Sequence, residues 1–172
     1  LLFFCFAPLI GSTAEVFIEA ESFQKRGGWK LDTQFIQQMG SPYLLAHGLG
    51  RPVDDAVTKF NIGESENYRL WVRTKDWVAR WNATASPGKF QIIIDGKPAN
   101  ATFGTNGVQW GWHDGGIIAL EKGTNELRLK DLTGFDGRCD CIYLTTETDQ
   151  PPPPADTVLS EWRREQLGLA AN

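Results

Sequence analysis

A chain of 172 residues is long enough for one domain with a substantial core, and 41 % apolar residues is ordinary for a globular protein. The formal charge is −4 with both signs spread along the chain, so there is no basic field to hold nucleic acid, and that class of partner is excluded. Seven Trp and ten Phe against a single Met point either to a packed β core or to flat surfaces on which a ligand stacks.

The first residues, "LLFFCFAPLIGSTAEVF", form an apolar run that ends in small residues. This is the pattern of a signal-peptide core with cleavage at Ser12-Thr13-Ala14, and it is shorter than the roughly 20 apolar residues of a transmembrane helix. Residues 1–14 are therefore expected to be the remnant of an export signal on a secreted or periplasmic protein with no membrane span. Cleavage there removes Cys5 and leaves Cys139 and Cys141, two apart on one predicted strand. A bridge between them would strain the backbone, so free thiols are expected.

Strand-like runs follow between turn signals at residues 16–20, 43–46, 56–62, 68–74, 90–94, 102–103, 109–112, 117–120, 126–131 and 139–145. Several alternate cleanly, as Leu127 and Leu129 do against Glu126, Arg128 and Lys130. Asp95-Gly96 predicts a hairpin after residues 90–94, and Gly123 predicts a similar fold-back. Short strands with Gly-rich turns and no helix between them predict an all-β fold, an antiparallel β-sandwich of jelly-roll type, over residues 15–148. Residues 149–172 differ. Pro151–Pro154 predicts a semi-rigid spacer, and residues 156–167 a short helix with Asp156 as N-cap and Gly168 as stop. Val158, Leu159, Trp162, Gln166 and Leu169 share one stripe of that helix, which is expected to be weakly attached and to lead to a further domain.

Two constellations carry chemistry. Glu19 and Glu21 stand at alternate positions of the first strand, and Asp140 has the parity of the apolar Ile142 and Leu144. A carboxylate turned inward needs a metal, a cation or a ring of donors. If the last strand lies beside the first, Glu19, Glu21 and Asp140 supply three hard oxygen ligands suited to a structural Ca²⁺; the plainer reading of the glutamates is a solvated strand face. The second constellation is aromatic. Trp77 and Trp81 in "TKDWVARW" and Trp112 in "GVQWGWHDGG" fall in or beside loops, where indoles serve either as packing or as platforms for the C–H faces of sugars. The loop before the last strand adds Asp136, able to accept from hydroxyls, and Arg138, able to donate to them or to pair with a uronic acid carboxylate. His47 and His113 are lone histidines, and no hydrolase, metalloprotease or phosphate-loop motif is present. The spacing of Asp54 with Asp55, or of Asp136 with Asp140, gives no support to a glycosidase pair.

The stretches "IEAESF", "YRLWVRTKDW", "GIIALEKGTNELRLKD" and "CDCIYL" resemble the skeleton of family 6 and family 35 carbohydrate-binding modules. The resemblance implies a galactose-binding-like β-sandwich, with structural calcium ligands at Glu19, Glu21 and Asp140. It also implies a first aromatic platform near Trp77 or Trp81 and a second near Trp112. The asparagine usual in the loop before the last strand is missing from "TGFDGRCD", so Asp136 or Arg138 would take its part. A narrower likeness runs through "GGWKLDTQF", "MGSPYLLAHGLGRPVDDA" and "DLTGFDGRCDCIYLT", which resemble a module at the front of secreted bacterial FAD-dependent oxidoreductases. That resemblance implies a C-terminal catalytic domain in cis, which would hold the FAD, since no flavin fingerprint occurs here. Three functions remain open at this point: a non-catalytic carbohydrate-binding module, an accessory domain that docks on such an oxidoreductase and shapes its entrance, and an autonomous enzyme.

Overall fold

The computed structural model describes residues 13–82, 84–149 and 156–169, with side chains in the C-terminal helix described from residue 161 onward. The predicted signal core and the Pro151–Pro154 spacer lie outside the described residues.

Alternation decides which side of each strand turns inward. In β4 (Ala56–Ile62), Ala56, Thr58, Phe60 and Ile62 are buried, and in β9 (Gly123–Asp131), Asn125, Leu127, Leu129 and Asp131 are. β9 lies between β4 and β6 (Phe90–Ile94), with the two-residue β7 (Lys97–Pro98) at the edge, giving the sheet order β4-β9-β6-β7. The second sheet runs β2 (Lys30–Asp32), β3 (Tyr43–His47), β10 (Phe135–Thr145), β5 (Glu66–Thr74), β8 (Gly111–Leu120). β1 (Glu15–Glu19) pairs with the C-terminal half of β10, and β3 pairs with its N-terminal half. The strand pairings are antiparallel throughout. One sheet sends Ile18, Leu44, Leu70, Val72, Ile142 and Leu144 into the core, and the other meets them with Phe60, Ile92, Leu127 and Leu129. The fold is the expected antiparallel β-sandwich.

Strands 56–62 and 90–94 have the predicted bounds, and Asp95-Gly96, with φ of 48° and 77°, closes the β6–β7 hairpin. Gly123 does not fold β9 back on β8, because the two belong to opposite sheets and the chain crosses between layers there. Two short elements were not anticipated: β2 and a single-turn helix, α1 (Ile36–Met39). Glu21 lies in a 3-10 turn at Ala20–Ser22, beyond the end of β1, so the two glutamates do not alternate along one strand.

Two irregularities in β10 set the direction of its polar side chains. Opposite β5, Cys139 pairs with Thr74 and Cys141 with Arg73, so Asp140 is an additional, bulged residue. The bulge reverses the parity read from the sequence. Cys139, Ile142 and Leu144 face the sandwich core, whereas Asp140 turns with Arg73 to the outer face. Opposite β3, Phe135 pairs with His47 and Gly137 with Ala46, which makes Asp136 the second bulge, with a φ of 59°.

That outer face is covered by α2 (Asp156–Gln166), which ends at Gly168 with a φ of 65° and a bond from its N–H to the Glu165 carbonyl. The helix is where it was expected, but it is not weakly attached. The Trp162 ring stands edge-on to Phe17 at 5.2 Å, Tyr143 at 5.1 Å and Trp112 at 5.6 Å, and the Arg163 side chain is buried. Both described cysteines are free, as predicted, and both are fully buried.

Candidate functional site

A groove of about 470 Å³ opens beside the loop that follows β5. Asp76 builds that loop from within. Its backbone N–H donates to the carbonyls of Asn106 (3.1 Å) and Gly107 (2.9 Å), and its carboxylate accepts from the Val78 N–H (3.0 Å) and the Ser86 hydroxyl (2.8 Å). The buried carboxylate thus fixes the stretch that carries both predicted platforms. Trp77 is half-buried and donates its indole N–H to the Phe135 carbonyl at 2.9 Å. Trp81 leaves 73 % of its surface in solvent. Phe35 and Val108 add apolar wall, and Gln34, Gln38 and Gln109 bring amides.

The charged lining has one sign. Lys75, Arg80 and Arg138 face the groove, and among the described residues no carboxylate does. Arg138 lies over the Trp77 ring at 5.4 Å, Arg80 over Trp81 at 5.9 Å, and the Lys75 ammonium over Phe35 at 4.6 Å. Burial, together with the charges of Arg138 and Arg80, holds Lys75 below the ordinary lysine range. An anion entering here meets positive charge already stripped of part of its water.

Of the five predicted ligand residues, Trp77, Trp81 and Arg138 line this groove. Asp136 stands behind it. Its carbonyl accepts from Arg138 Nη1 at 2.9 Å, and its carboxylate meets His47 Nδ1 at 2.6 Å, so it orients Arg138. Trp112 is elsewhere. On β8 it stands opposite Arg73, its ring packs with Tyr143 and Trp162, and it borders a separate, more open hollow of about 430 Å³ with Asn106, His113 and Asp114. The reading of Trp112 as a platform on the same groove as Trp77 is not met, because β8 carries it under the C-terminal helix. The contributions of Lys75, Arg80 and Asp76 were missed, although all three sit in or beside "TKDWVARW", where cations alternate with indoles.

The predicted carboxylate cluster forms on the outer sheet face. Asp140, fully buried, accepts from Arg73 Nη1 at 2.7 Å, from Arg163 Nη2 at 3.0 Å and from the Ser41 hydroxyl at 3.2 Å. Glu19 receives Arg163 through both carboxylate oxygens, at 3.0 and 2.5 Å. Two guanidinium groups therefore answer the buried Asp140 carboxylate. One Glu21 oxygen is buried without a hydrogen-bond partner among the described residues, and burial and the neighbouring Glu19 push this carboxyl up to about 8. Burial also raises Glu19 above its ordinary value, against the lowering effect of Arg163.

No protein-family model matches the chain, and no curated protein matches it by sequence. Solved structures share its fold. A GH26-CBM35 β-(1,4)-mannanase from Podospora anserina superposes with a TM-score of 0.60 at 20 % identity, over 80 % of this chain and 29 % of that one. A family 35 carbohydrate-binding module from Clostridium thermocellum gives 0.58 at 18 % identity, over 76 % of this chain and 97 % of the module. The C-terminal CBM6 of LamC from Zobellia galactanivorans gives 0.56 at 14 % identity, covering 77 % and 99 %. The chain thus spans less than a third of the mannanase but nearly all of each separate module. At these identities the likeness is one of fold. No helix among the described residues is long and apolar enough to cross a membrane.

Proposed function

We propose that this sandwich is a non-catalytic carbohydrate-binding module whose groove takes an acidic saccharide. One observation carries the reading: an indole with 73 % of its surface in water stands beside Trp77 in a groove lined by three cations and no carboxylate. The exposed ring gains by covering the C–H face of a pyranose, and the three glutamines suit its hydroxyls. Arg138, Lys75 and Arg80 add charge-assisted bonds to a uronic acid carboxylate. A glycosidase needs two carboxyl groups about 5 to 9 Å apart across the scissile bond, and this lining offers none. The shared fold of modules named for carbohydrate binding supports the reading.

Contacts over one or two sugar units correspond to a Kd between about 1 μM and 1 mM, or about 4 to 8 kcal/mol. The test is calorimetry with uronic acid oligosaccharides against neutral ones of the same length. Trp81→Ala is expected to weaken binding by about tenfold or more, corresponding to about 1.4 kcal/mol. Its unfolding midpoint should stay put, because an exposed ring supports no core. Equal affinity for neutral and acidic sugars removes the acidic specificity, and a broad glycan panel with no binding removes the module reading. The reading of residues 149–172 as a link to a catalytic domain in cis, such as an FAD-dependent oxidoreductase, predicts a different result: joined to that domain, the groove is covered and sugar binding disappears.

A further inference from the structure

The bulge at the start of β10 stands directly behind the groove. Opposite β3 the register slips at Asp136, whose φ of 59° is a left-handed conformation that residues other than glycine rarely adopt. The two carbonyls that flank its Cα both serve the groove. That of Phe135 accepts the Trp77 indole N–H and that of Asp136 accepts Arg138 Nη1, each at 2.9 Å. The guanidinium so held lies 5.4 Å from the centre of the Trp77 ring. The loop after β5 also closes on the same oxygens at its far end, since a Cβ added to Gly88 would stand 3.1 Å from each of them. The φ and ψ of Asp136 therefore set how the platform and its cation face each other. Strand pairing does not fix these angles, because a bulged residue is left out of the ladder.

The Asp136 side chain supplies what the ladder does not. Its Oδ1 lies 2.6 Å from Nδ1 of His47, the last residue of β3, which pairs with Phe135. An ionised carboxylate only accepts, so the ring nitrogen is the donor. His47 itself stays outside the groove, with 52 % of its side chain in solvent. We infer that His47 is a positioning residue of the groove: by holding the Asp136 carboxylate it fixes the bulge, and the two carbonyls of the bulge aim Trp77 and Arg138. The consequence for affinity rests on the saccharide reading, whereas the geometry stands without it. An acidic sugar uses both groups at once, the ring for its C–H face and the guanidinium for its carboxylate. A bulge free to swing leaves the ligand to order both partners on binding, and that ordering is taken from its affinity.

The test uses the full chain and a uronic acid oligosaccharide, with calorimetry reading affinity. His47→Ala removes the donor at an exposed position, so its unfolding midpoint is expected to stay put. It should bind about two- to fivefold more weakly than the wild type, the range of a partly exposed charged pair. His47→Asn, whose amide offers an N–H near the place of Nδ1, should restore wild-type binding. Asp136→Gly keeps the left-handed backbone without the carboxylate, and in that background His47→Ala should change nothing further. A second readout needs no sugar. The NMR signal of the Trp77 indole N–H, identified among the seven indoles by its loss in Trp77→Phe, should shift in His47→Ala and keep its place in His47→Asn. If no sugar binds to any of these proteins but the indole signal behaves in this way, the saccharide reading falls and the positioning role stands. An unmoved Trp77 signal in His47→Ala overturns the inference. So does sugar bound equally by the wild type and His47→Ala, or an equal loss of affinity with and without the Asp136 carboxylate. Should His47→Ala fail to fold, His47→Leu, near the imidazole in size but with no donor, takes its place.

Discussion

Replacing Asp140 by Asn keeps the shape of the side chain and removes its charge, which makes it a sharp probe of the buried cluster. The carboxylate and its partner Arg73 are 0 % and 1 % exposed, and Arg163 is 6 % exposed, so water cannot replace what is lost. Three hydrogen bonds converge on Asp140, two of them from guanidinium groups. Removing one side of such a buried pair costs about 3 to 5 kcal/mol, because the remaining charge has already been stripped of its solvent. Against a total stability of about 5 to 15 kcal/mol this is a large share. At about 2 to 4 °C per kcal/mol for a chain of this size, the melting temperature is expected to fall by about 6 to 20 °C. The assay is urea unfolding followed by tryptophan fluorescence, in chelator so that the arginines alone serve the carboxylates, with a lower midpoint and an unchanged slope. Glu19→Gln should cost less, since its side chain is 12 % exposed and Arg163 keeps Asp140 and the Met39 carbonyl. A loss below about 1 kcal/mol for Asp140→Asn would refute the argument, because that is the size expected of a solvent-screened surface pair.

Asp76→Ala breaks two bonds made by a buried carboxylate and should cost about 1 to 3 kcal/mol in unfolding experiments; the loop carrying Trp77 and Trp81 loosens with it, so sugar affinity falls as well. Gly134 has a φ of 69°, and a Cβ placed there would lie 2.1 Å from the Arg51 carbonyl oxygen. Gly134→Ala should therefore cost more than the roughly 1 to 3 kcal/mol of backbone strain alone, whereas Gly63→Ala, with open space around it, serves as the mild control in the same melts. Because Lys75 loses its proton below the ordinary lysine value of 10.5, affinity for an acidic saccharide should decline as pH rises through that lowered value. Calorimetry across pH should show the decline for acidic sugar, none for neutral sugar, and none for Lys75→Gln; matching profiles would remove Lys75 from the site.

β4 and β6 were readable because each alternates over at least five residues, and burial enforces that alternation in the sandwich. β2 and α1, at three and four residues, are too short to show any period. The Trp77–Trp81 loop was singled out because its indoles fall in or beside a loop, where a ring serves a ligand as readily as packing. Lys75 and Asp76 were overlooked because a buried lysine or aspartate looks like any surface charge in a linear sequence. Asp140 is the most instructive case. Its need for a cation followed from chemistry alone, but its direction did not, since a bulge depends on the register with β5, and parity counted along one strand cannot reveal it. Nor can the cation be named from nearby residues. Arg163 reaches Glu19 across 144 positions, and the stripe drawn on its helix picked out Trp162 but passed over the arginine beside it.

The single turn of α1 is party to both regions at once. Phe35 and Gln38 border the groove, while the Met39 carbonyl and the adjoining Ser41 belong to the seat of Arg163. The Met39 side chain is buried with Tyr43 and Trp110, and Phe35 packs on that cluster, so the turn has no slack at either end. For anyone transplanting a new specificity onto this scaffold, the segment is not a free cassette. A graft that swaps Gln34 to Met39 to recognise another glycan would also disturb the turn that holds the Met39 carbonyl against Arg163 on the far side. In the loop carrying Trp77 and Trp81, the exposed Trp81 is the position that can be rewritten most freely, since Asp76 ties the loop to Asn106 and Gly107 and Trp77 donates to Phe135.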